Sequence, residues 1–381
     1  MNPLYWSDIV EGRRRGIAAA CLRAALIPPS LAYRLAISGR NAAYGRGILR
    51  AHGLPRPIVS VGNLVVGGTG KTPLVKLLAR GLRERGLRAA VLSRGYGAVR
   101  EGQPFPRLVS DGSRVFLSSR EAGDEACMLA HSLEGTVVAV DPDRARAGEM
   151  VARRFPVDAF ILDDGFQHRR LARDADILLL DAARPFGNGR VLPAGRLREP
   201  ASAVRRAGAI VFTRCSHPPD PDTLAGVRRL NPRAEVFTST HEPARLVEIP
   251  SGTVREPRAL KGKTVAAFCG IAAPEDFART LSDLGARIAL WRPYPDHHRC
   301  LAAEIEEFAM AAAGAGAEGL VTTSKDAARL PENLRLPLPL YSLEIEMKIG
   351  GGDGQLLEWV IESIGSAALT PAPAPRAQRS S

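Results

Sequence analysis

Cysteine is scarce and scattered: five residues at positions 21, 127, 215, 269 and 300 never form a CxxC pair. An odd number at such spacings encodes neither a disulfide framework nor a zinc site, and a reducing cytoplasm fits it best. Lysine is nearly missing, with six residues against 46 arginines. So one-sided a bias fits a GC-rich coding sequence, and it weakens the step from a net charge of +12 to nucleic acid. No basic helix interleaved with aromatics and no recognisable reading module is present, so no nucleic-acid partner is expected. Long hydrophobic runs are lacking too. The apolar stretch 16–27 carries Arg23, stops at Pro28-Pro29, shows no cleavage pattern of a signal peptide and is too short to span a bilayer.

What is present is an ordinary soluble composition, 45% hydrophobic and 24% charged over 381 residues. At about 150 residues per domain this predicts two domains plus appendages. The charge is uneven: residues 1–60 hold nine arginines against Asp8 and Glu11, a net of +7. Arg13, Arg14 and Arg15 precede the apolar stretch, and Leu31, Tyr33, Leu35 and Ile37 continue it past the prolines. The segment reads either as a basic amphipathic element lying on an anionic leaflet or as an N-terminal helix packed on the domain with solvated arginines.

From Pro57 onward, β-type apolar runs alternate with helical patterns. Strands are expected at 58–64, 89–92, 137–140, 159–162, 177–180, 210–213, 265–269, 288–291 and 320–323, and helices at 73–85, 144–154, 274–284 and 302–313. Continuous apolar strands alternating with helices predict an α/β fold on a mostly parallel sheet. Proline-rich 217–221 and the stretch 233–256 read as a boundary region. The expected organisation is an N-terminal amphipathic helical segment at 1–55, a nucleotide-binding domain at 56–232, a second, smaller α/β domain at 240–364 and a disordered tail at 365–381.

Gly67-Gly68-Thr69-Gly70-Lys71-Thr72-Pro73 follows an expected strand and opens an expected helix. In that setting glycines let backbone N–H groups approach phosphates, Lys71 reaches the β/γ-phosphates and Thr72 ligates Mg²⁺. The strict GxxxxGK[ST] pattern is not met, because Val65 takes the first glycine position; the loop follows the GGxGKT variant. Asp163-Asp164 end the apolar run 159–162 as Walker B carboxylates do. Together the two elements imply a P-loop NTPase-like domain that binds Mg-nucleotide. Either carboxylate could take the metal, with Walker B usage favouring Asp163.

Beyond the loop, a longer set of motifs runs in one order along the chain. Ser60-Val61-Gly62-Asn63-Leu64 leads into the loop, followed by Ser93-Arg94-Gly95-Tyr96-Gly97, Gly123-Asp124-Glu125, Asp163-Asp164-Gly165-Phe166-Gln167-His168 and Asp181. Pro185-Phe186-Gly187-Asn188-Gly189, the stretch 192–200 (Leu-Pro-Ala-Gly-Arg-Leu-Arg-Glu-Pro), Asp296-His297-His298 and Val321-Thr322-Thr323-Ser324-Lys325-Asp326 complete it. This set resembles the tetraacyldisaccharide 4′-kinases of lipid A synthesis, with one departure: Ser324 stands where the pattern has Glu. The resemblance implies transfer of the γ-phosphoryl of ATP to the 4′-hydroxyl of a tetraacylated glucosamine disaccharide 1-phosphate. It also implies work at the cytoplasmic face of the bacterial inner membrane, with ATP and Mg²⁺ as cofactors and no obligate protein partner. A lipid substrate would explain the basic amphipathic N-terminus. The other reading of the loop is an ATPase or GTPase switch or a metallochaperone; the NKxD element of GTPases is absent.

A sugar hydroxyl needs a proton acceptor as phosphoryl transfer proceeds. Asp124 is the candidate, and by resemblance it pairs with His297 rather than His298 across a cleft; the plain alternative for Asp124 is a helix cap. Lys71, through its reach to the phosphates, is also a catalytic candidate, and the resemblance assigns Arg144, Arg198 and Glu199 to the active-site lining, where arginine suits bidentate phosphate binding. His168 joins Gly67, Gly68, Thr69, Gly70, Lys71 and Thr72 as a nucleotide candidate, with a structural turn as its alternative. Thr72, Asp163 and Asp164 are the expected metal ligands.

Overall fold

The computed structural model describes residues 3–99, 104–215, 217–271, 274–295, 298–331 and 333–365. The chain opens with helices α1 (Pro3–Val10), α2 (Ile17–Ala25) and α3 (Ile27–Gly45). Pro28 and Pro29 start α3 rather than end the segment, since a first-turn proline forfeits no helical hydrogen bond. The nucleotide-binding half follows as β1 (Ile58–Asn63), α4 (Lys71–Glu84), β2 (Ala89–Ser93), β3 (Arg107–Ser110), α5 (Ser119–Ala122), α6 (Asp124–Ser132), β4 (Val137–Val140), α7 (Arg144–Arg154), β5 (Ala159–Asp163), β6 (Ala175–Asp181), β7 (Ala209–Thr213) and α8 (Pro221–Leu230). The remainder is β8 (Glu235–Ile249), β9 (Val254–Arg255), β10 (Thr264–Cys269), α9 (Pro274–Asp283), β11 (Arg287–Pro293), α10 (Ala302–Gly314), β12 (Gly319–Thr323), α11 (Ser324–Ala327), β13 (Leu340–Ile349) and α12 (Asp353–Ile364).

The strands form one sheet in the order β11-β10-β12-β13-β8-β7-β6-β1-β5-β2-β4-β3. Strands β7-β6-β1-β5-β2-β4 are parallel throughout, and β1, β2, β4, β5 and β7 are buried along their whole length. Continuous burial is why these strands are legible as unbroken apolar runs. Helix α4 covers one face with Leu74, Val75, Leu78, Ala79 and Leu82.

The expected boundary at 233–256 is not a linker. It holds β8, a strand of 15 residues, whose first part pairs in parallel with β7 while the rest pairs antiparallel with β13. The two strands form a ribbon shared by both halves. Nor does the second half end where its own core ends. Met347 and Ile349 of β13 and Leu356, Leu357, Val360 and Ile364 of α12 belong to the core under α4, and the Leu357 side chain fills the space beside Gly81 that a Cβ would take. The expected unit 240–364 therefore donates its last helix to the nucleotide-binding half. Its own core, around Val265, Phe277, Leu281 and Val321, lies on β10–β12. The expected tail falls outside the described residues from 366 onward.

Candidate active site

Asn63, wholly buried at the end of β1, shapes the glycine-rich loop. Its Nδ2 donates to the Gly67 carbonyl at 3.3 Å and to Thr69 Oγ1 at 2.8 Å, while its own carbonyl accepts from Gln167 Nε2 at 2.9 Å. Gly70 then precedes α4 with φ 85°, a left-handed conformation open to glycine. A Cβ at this position would also lie 2.6 Å from Nε2 of His241 on β8. Lys71 and Thr72 open α4, so the first-turn N–H groups lack intrahelical acceptors and are available to an anion.

The neighbouring strand brings the carboxylates. Val61 of β1 is paired in register with Asp163 of β5, and β2 flanks β5 on the other side. The carboxyl ends of three adjacent parallel strands thus carry the loop, the acidic pair and Ser93, the position where open α/β sheets bind ligands. Asp163 is buried and accepts from Ser93 Oγ at 3.1 Å. Its Oδ1 finds no donor among the described residues. Burial, reinforced by the charges of Glu125 and Asp164, pushes its carboxyl well up, against the opposing pull of Lys71 and Ser93. Asp164, at a strained φ of 53°, behaves oppositely. Burial would raise it, but Lys71 Nζ at 3.6 Å and Arg198 Nη1 at 2.7 Å, with Arg144 further off, hold it below the ordinary carboxylate value.

That asymmetry fits a divalent cation. A buried carboxyl kept from ionising by its surroundings, with one oxygen unsatisfied, is relieved by a hard cation that takes oxygen ligands. Thr72, Asp163 and Asp164 supply such a set.

Asp124 starts α6, whose N-terminus rests on Gly95 and Tyr96: a Cβ at Gly123 would meet the Tyr96 carbonyl oxygen at 2.5 Å. The capping alternative is not what the structure shows. Gly123 is the residue preceding the helix, and the Asp124 carboxylate reaches the other half of the molecule, accepting from Arg329 Nε at 2.7 Å and Arg299 Nη2 at 3.4 Å. The Arg329 side chain is 2% exposed and also sits 3.6 Å from Asp326. His297 lies outside the described residues. His298 stacks on Tyr294 and faces Glu304.

The Ser324 departure has a simple reading. Asp326 builds this turn, accepting from the Gly270 N–H at 3.0 Å and from Thr323 Oγ1 at 2.6 Å. Ser324 Oγ donates to the Leu343 carbonyl at 3.3 Å and accepts from Ser342 Oγ at 3.4 Å, both on β13.

Arg144, at the start of α7, is buried, and burial together with Arg94 lowers it to about 10. His168 is lowered to about 4 by burial and then by Arg144, so it is neutral near pH 7. Glu199 requires a correction. Expected beside the substrate, it is wholly buried, accepting from Arg206 at 2.8 and 3.1 Å and from Asn41 of α3 at 2.6 Å. Its oxygens anchor α3 to the loop that carries Arg198, and none is left to face a substrate.

The sequence patterns do not point to Arg329, Arg299 or His241. Nothing marks the two arginines among 46, apart from the i, i+3 spacing of Arg329 from Asp326. His241 falls in the stretch read as a boundary.

Comparison with known proteins assigns this arrangement. The family model "Tetraacyldisaccharide-1-P 4′-kinase" matches residues 22–365. A tetraacyldisaccharide 4′-kinase of Geobacter sulfurreducens is 44% identical over 90% of this chain and 94% of its own. One from Anaeromyxobacter sp. strain K is 42% identical over 99% of this chain and 98% of its own. The crystal structure of LpxK from Aquifex aeolicus in complex with ATP superimposes with a TM-score of 0.73 at 31% identity, covering 90% of this chain and 99% of that one. With its glycine-rich loop, its acidic pair and nearly its whole length matched, the chain belongs to the tetraacyldisaccharide-1-phosphate 4′-kinase family.

Proposed function

We propose a division of labour for the transfer of the ATP γ-phosphoryl group to the 4′-hydroxyl of a tetraacyldisaccharide 1-phosphate. The loop from Gly67 to Gly70, with Lys71 and the first-turn amides of α4, binds the triphosphate. Thr72 and Asp163, with Asp164 beside them, would hold Mg²⁺, which would supply positive charge against the phosphates. Asp124 takes the proton of the 4′-hydroxyl as the new O–P bond forms and the bond from the γ-phosphorus to the bridging oxygen of ADP breaks. His297 supports it, as the family resemblance implies. Arg144 and Arg198 bind phosphate oxygens, and His168, neutral near pH 7, borders the site without adding charge. The observation that supports this reading most is the convergence of Lys71, Asp163 and Asp164 at the ends of β1 and β5.

In the same reading, α2 and α3 rest on the cytoplasmic leaflet and hold this site beside it. No described residue of α2 is buried, and of α3 only Ser30 is; Ile17 and Leu35 are 85% and 73% exposed. Among the described residues no helix is long and apolar enough to cross a membrane. Helix α3 is instead docked by its polar edge, through Ser30 to the Val191 carbonyl at 2.8 Å and Tyr33 to the Arg198 carbonyl at 2.9 Å. Its opposite, apolar edge is free to enter the headgroup region, where each aliphatic side chain gains about 1.5–3 kcal/mol on full burial.

One preparation in detergent tests the chemistry. ATP consumption should depend on added purified tetraacyldisaccharide 1-phosphate and yield a 4′-phosphate monoester, whereas hydrolysis indifferent to the lipid would refute the reading. The leaflet assignment is tested separately, since Leu31→Ser/Leu35→Ser should lose binding to anionic vesicles yet keep its affinity for ATP.

A further inference from the structure

Between β11 and α10, away from the glycine-rich loop, three donors of different chemistry meet. The imidazole of His298, the thiol of Cys300 and the carboxylate of Glu304 bring one ligand atom each to within 4.8 Å of one another. The group is held in place from outside. The His298 ring stacks on Tyr294 with centroids 4.7 Å apart and planes 4° from parallel, and its Nε2 lies 3.2 Å from Glu304 Oε2. That same oxygen accepts from the Leu301 N–H at 2.7 Å, which fixes the carboxylate over the first turn of α10.

We propose that His298, Cys300 and Glu304 form a site for one thiophilic divalent cation of the zinc type. Nitrogen, sulfur and oxygen donors in one cluster select a borderline-soft ion, with a fourth position left to solvent. Mg²⁺ prefers oxygen ligands and its own water, so the site does not compete for the nucleotide's metal. Asp326 adds a second carboxylate near Cys300, beside that of Glu304. Binding takes the sulfur as thiolate and releases its proton to solvent.

The site has a route to the kinase centre. Arg299, between two of the ligands, donates to Asp124 at 3.4 Å, so a cation gripping residues 298 and 300 fixes the segment that touches the proposed base and slows turnover. This effect rests on the reading of Asp124; the binding does not.

Titrating the full chain with Cd²⁺ and following the ultraviolet sulfur-to-cadmium charge-transfer band tests the binding. One equivalent is expected, with the band lost in Cys300→Ala and affinity reduced by about tenfold or more in Glu304→Gln. In the unmodified protein Zn²⁺ should protect Cys300, but not exposed Cys21, from iodoacetamide, as read by peptide mass spectrometry. A band that survives Cys300→Ala, or alkylation of Cys300 unchanged by Zn²⁺, would overturn the site. Saturable binding with turnover unaffected would uphold the site and count against the link through Arg299 to Asp124.

Discussion

Lys71, Thr72, Asp163 and Asp164 come from one half of the molecule, from adjacent parallel strands whose register sets their spacing. Asp124 is held differently, because its partners Arg329 and Arg299 arrive from the other half, which is joined to the first through the β8–β13 ribbon and α12. The nucleotide wall is therefore preassembled by strand pairing, while the position of the proposed base depends on how two bodies meet. Substitutions in the wall should act on phosphate binding and transfer with little change in fold. Substitutions at the contact should act on turnover and on the seam itself.

The largest effect is expected at Lys71. Lys71→Ala removes the positive charge proposed to meet the phosphates, and kcat should fall by about 10²–10³-fold or more. Asp164 keeps Arg198 at 2.7 Å, so the thermal midpoint should move little. Near-normal turnover in the folded variant would break the comparison at its first term.

The contrast between wall and seam also explains what could be read from the sequence. Strands β1, β2, β4, β5 and β7 are buried on both faces, so they appear as unbroken apolar runs flanked by motifs, and the loop and acidic pair came with them. β8 and β13 are not legible in the same way because their ribbon is half exposed: charged and polar residues such as Glu242, Arg245, Glu344 and Glu346 interrupt every apolar run. Missing the ribbon hid both His241 and the return of α12 to the first core. Glu199 was misplaced for a related reason. A conspicuous charged motif announces that a carboxylate matters, not whether it faces ligand or, as here, buried arginine and asparagine.

An intermediate effect is expected at the seam. Asp124→Ala should lower kcat by about 10²–10⁴-fold, the range of general-base catalysis. Arg329→Ala should cost less, about tenfold, because Arg329 acts by positioning Asp124 at 2.7 Å. The double variant should then match Asp124→Ala alone, since groups acting as one unit are not additive. Arg329 is buried and also neighbours Asp326, so its loss destabilises as well, by about 3–5 kcal/mol. Rates must therefore be taken per folded molecule, with Arg329→Lys recovering part of kcat. Fully multiplicative losses would mean that Arg329 serves the reaction independently of Asp124, and the seam would not be a positioning device.

The smallest effect concerns pH and stability, and it divides the wall against itself. His168 and His241, against Gly70, each titrate near pH 4 in the folded chain, mainly through burial, against about 6.5 when unfolded. Between these values the unfolded chain binds the extra protons, so both histidines make stability fall as pH drops from about 6.5 toward 4 and leave it flat above. Asp163 acts with the opposite sign. Its folded carboxyl is raised above 3.8, so it holds a proton the unfolded chain has released, and its contribution weakens as pH rises through the folded value. Denaturant midpoints of the nucleotide-free chain should therefore respond in opposite directions: His168→Gln should lessen the loss of stability on acidification, and Asp163→Asn should steepen it. Parallel shifts in the two variants would show that the wall does not carry the two opposed titrations, and that its carboxylate is not held protonated for a cation to displace.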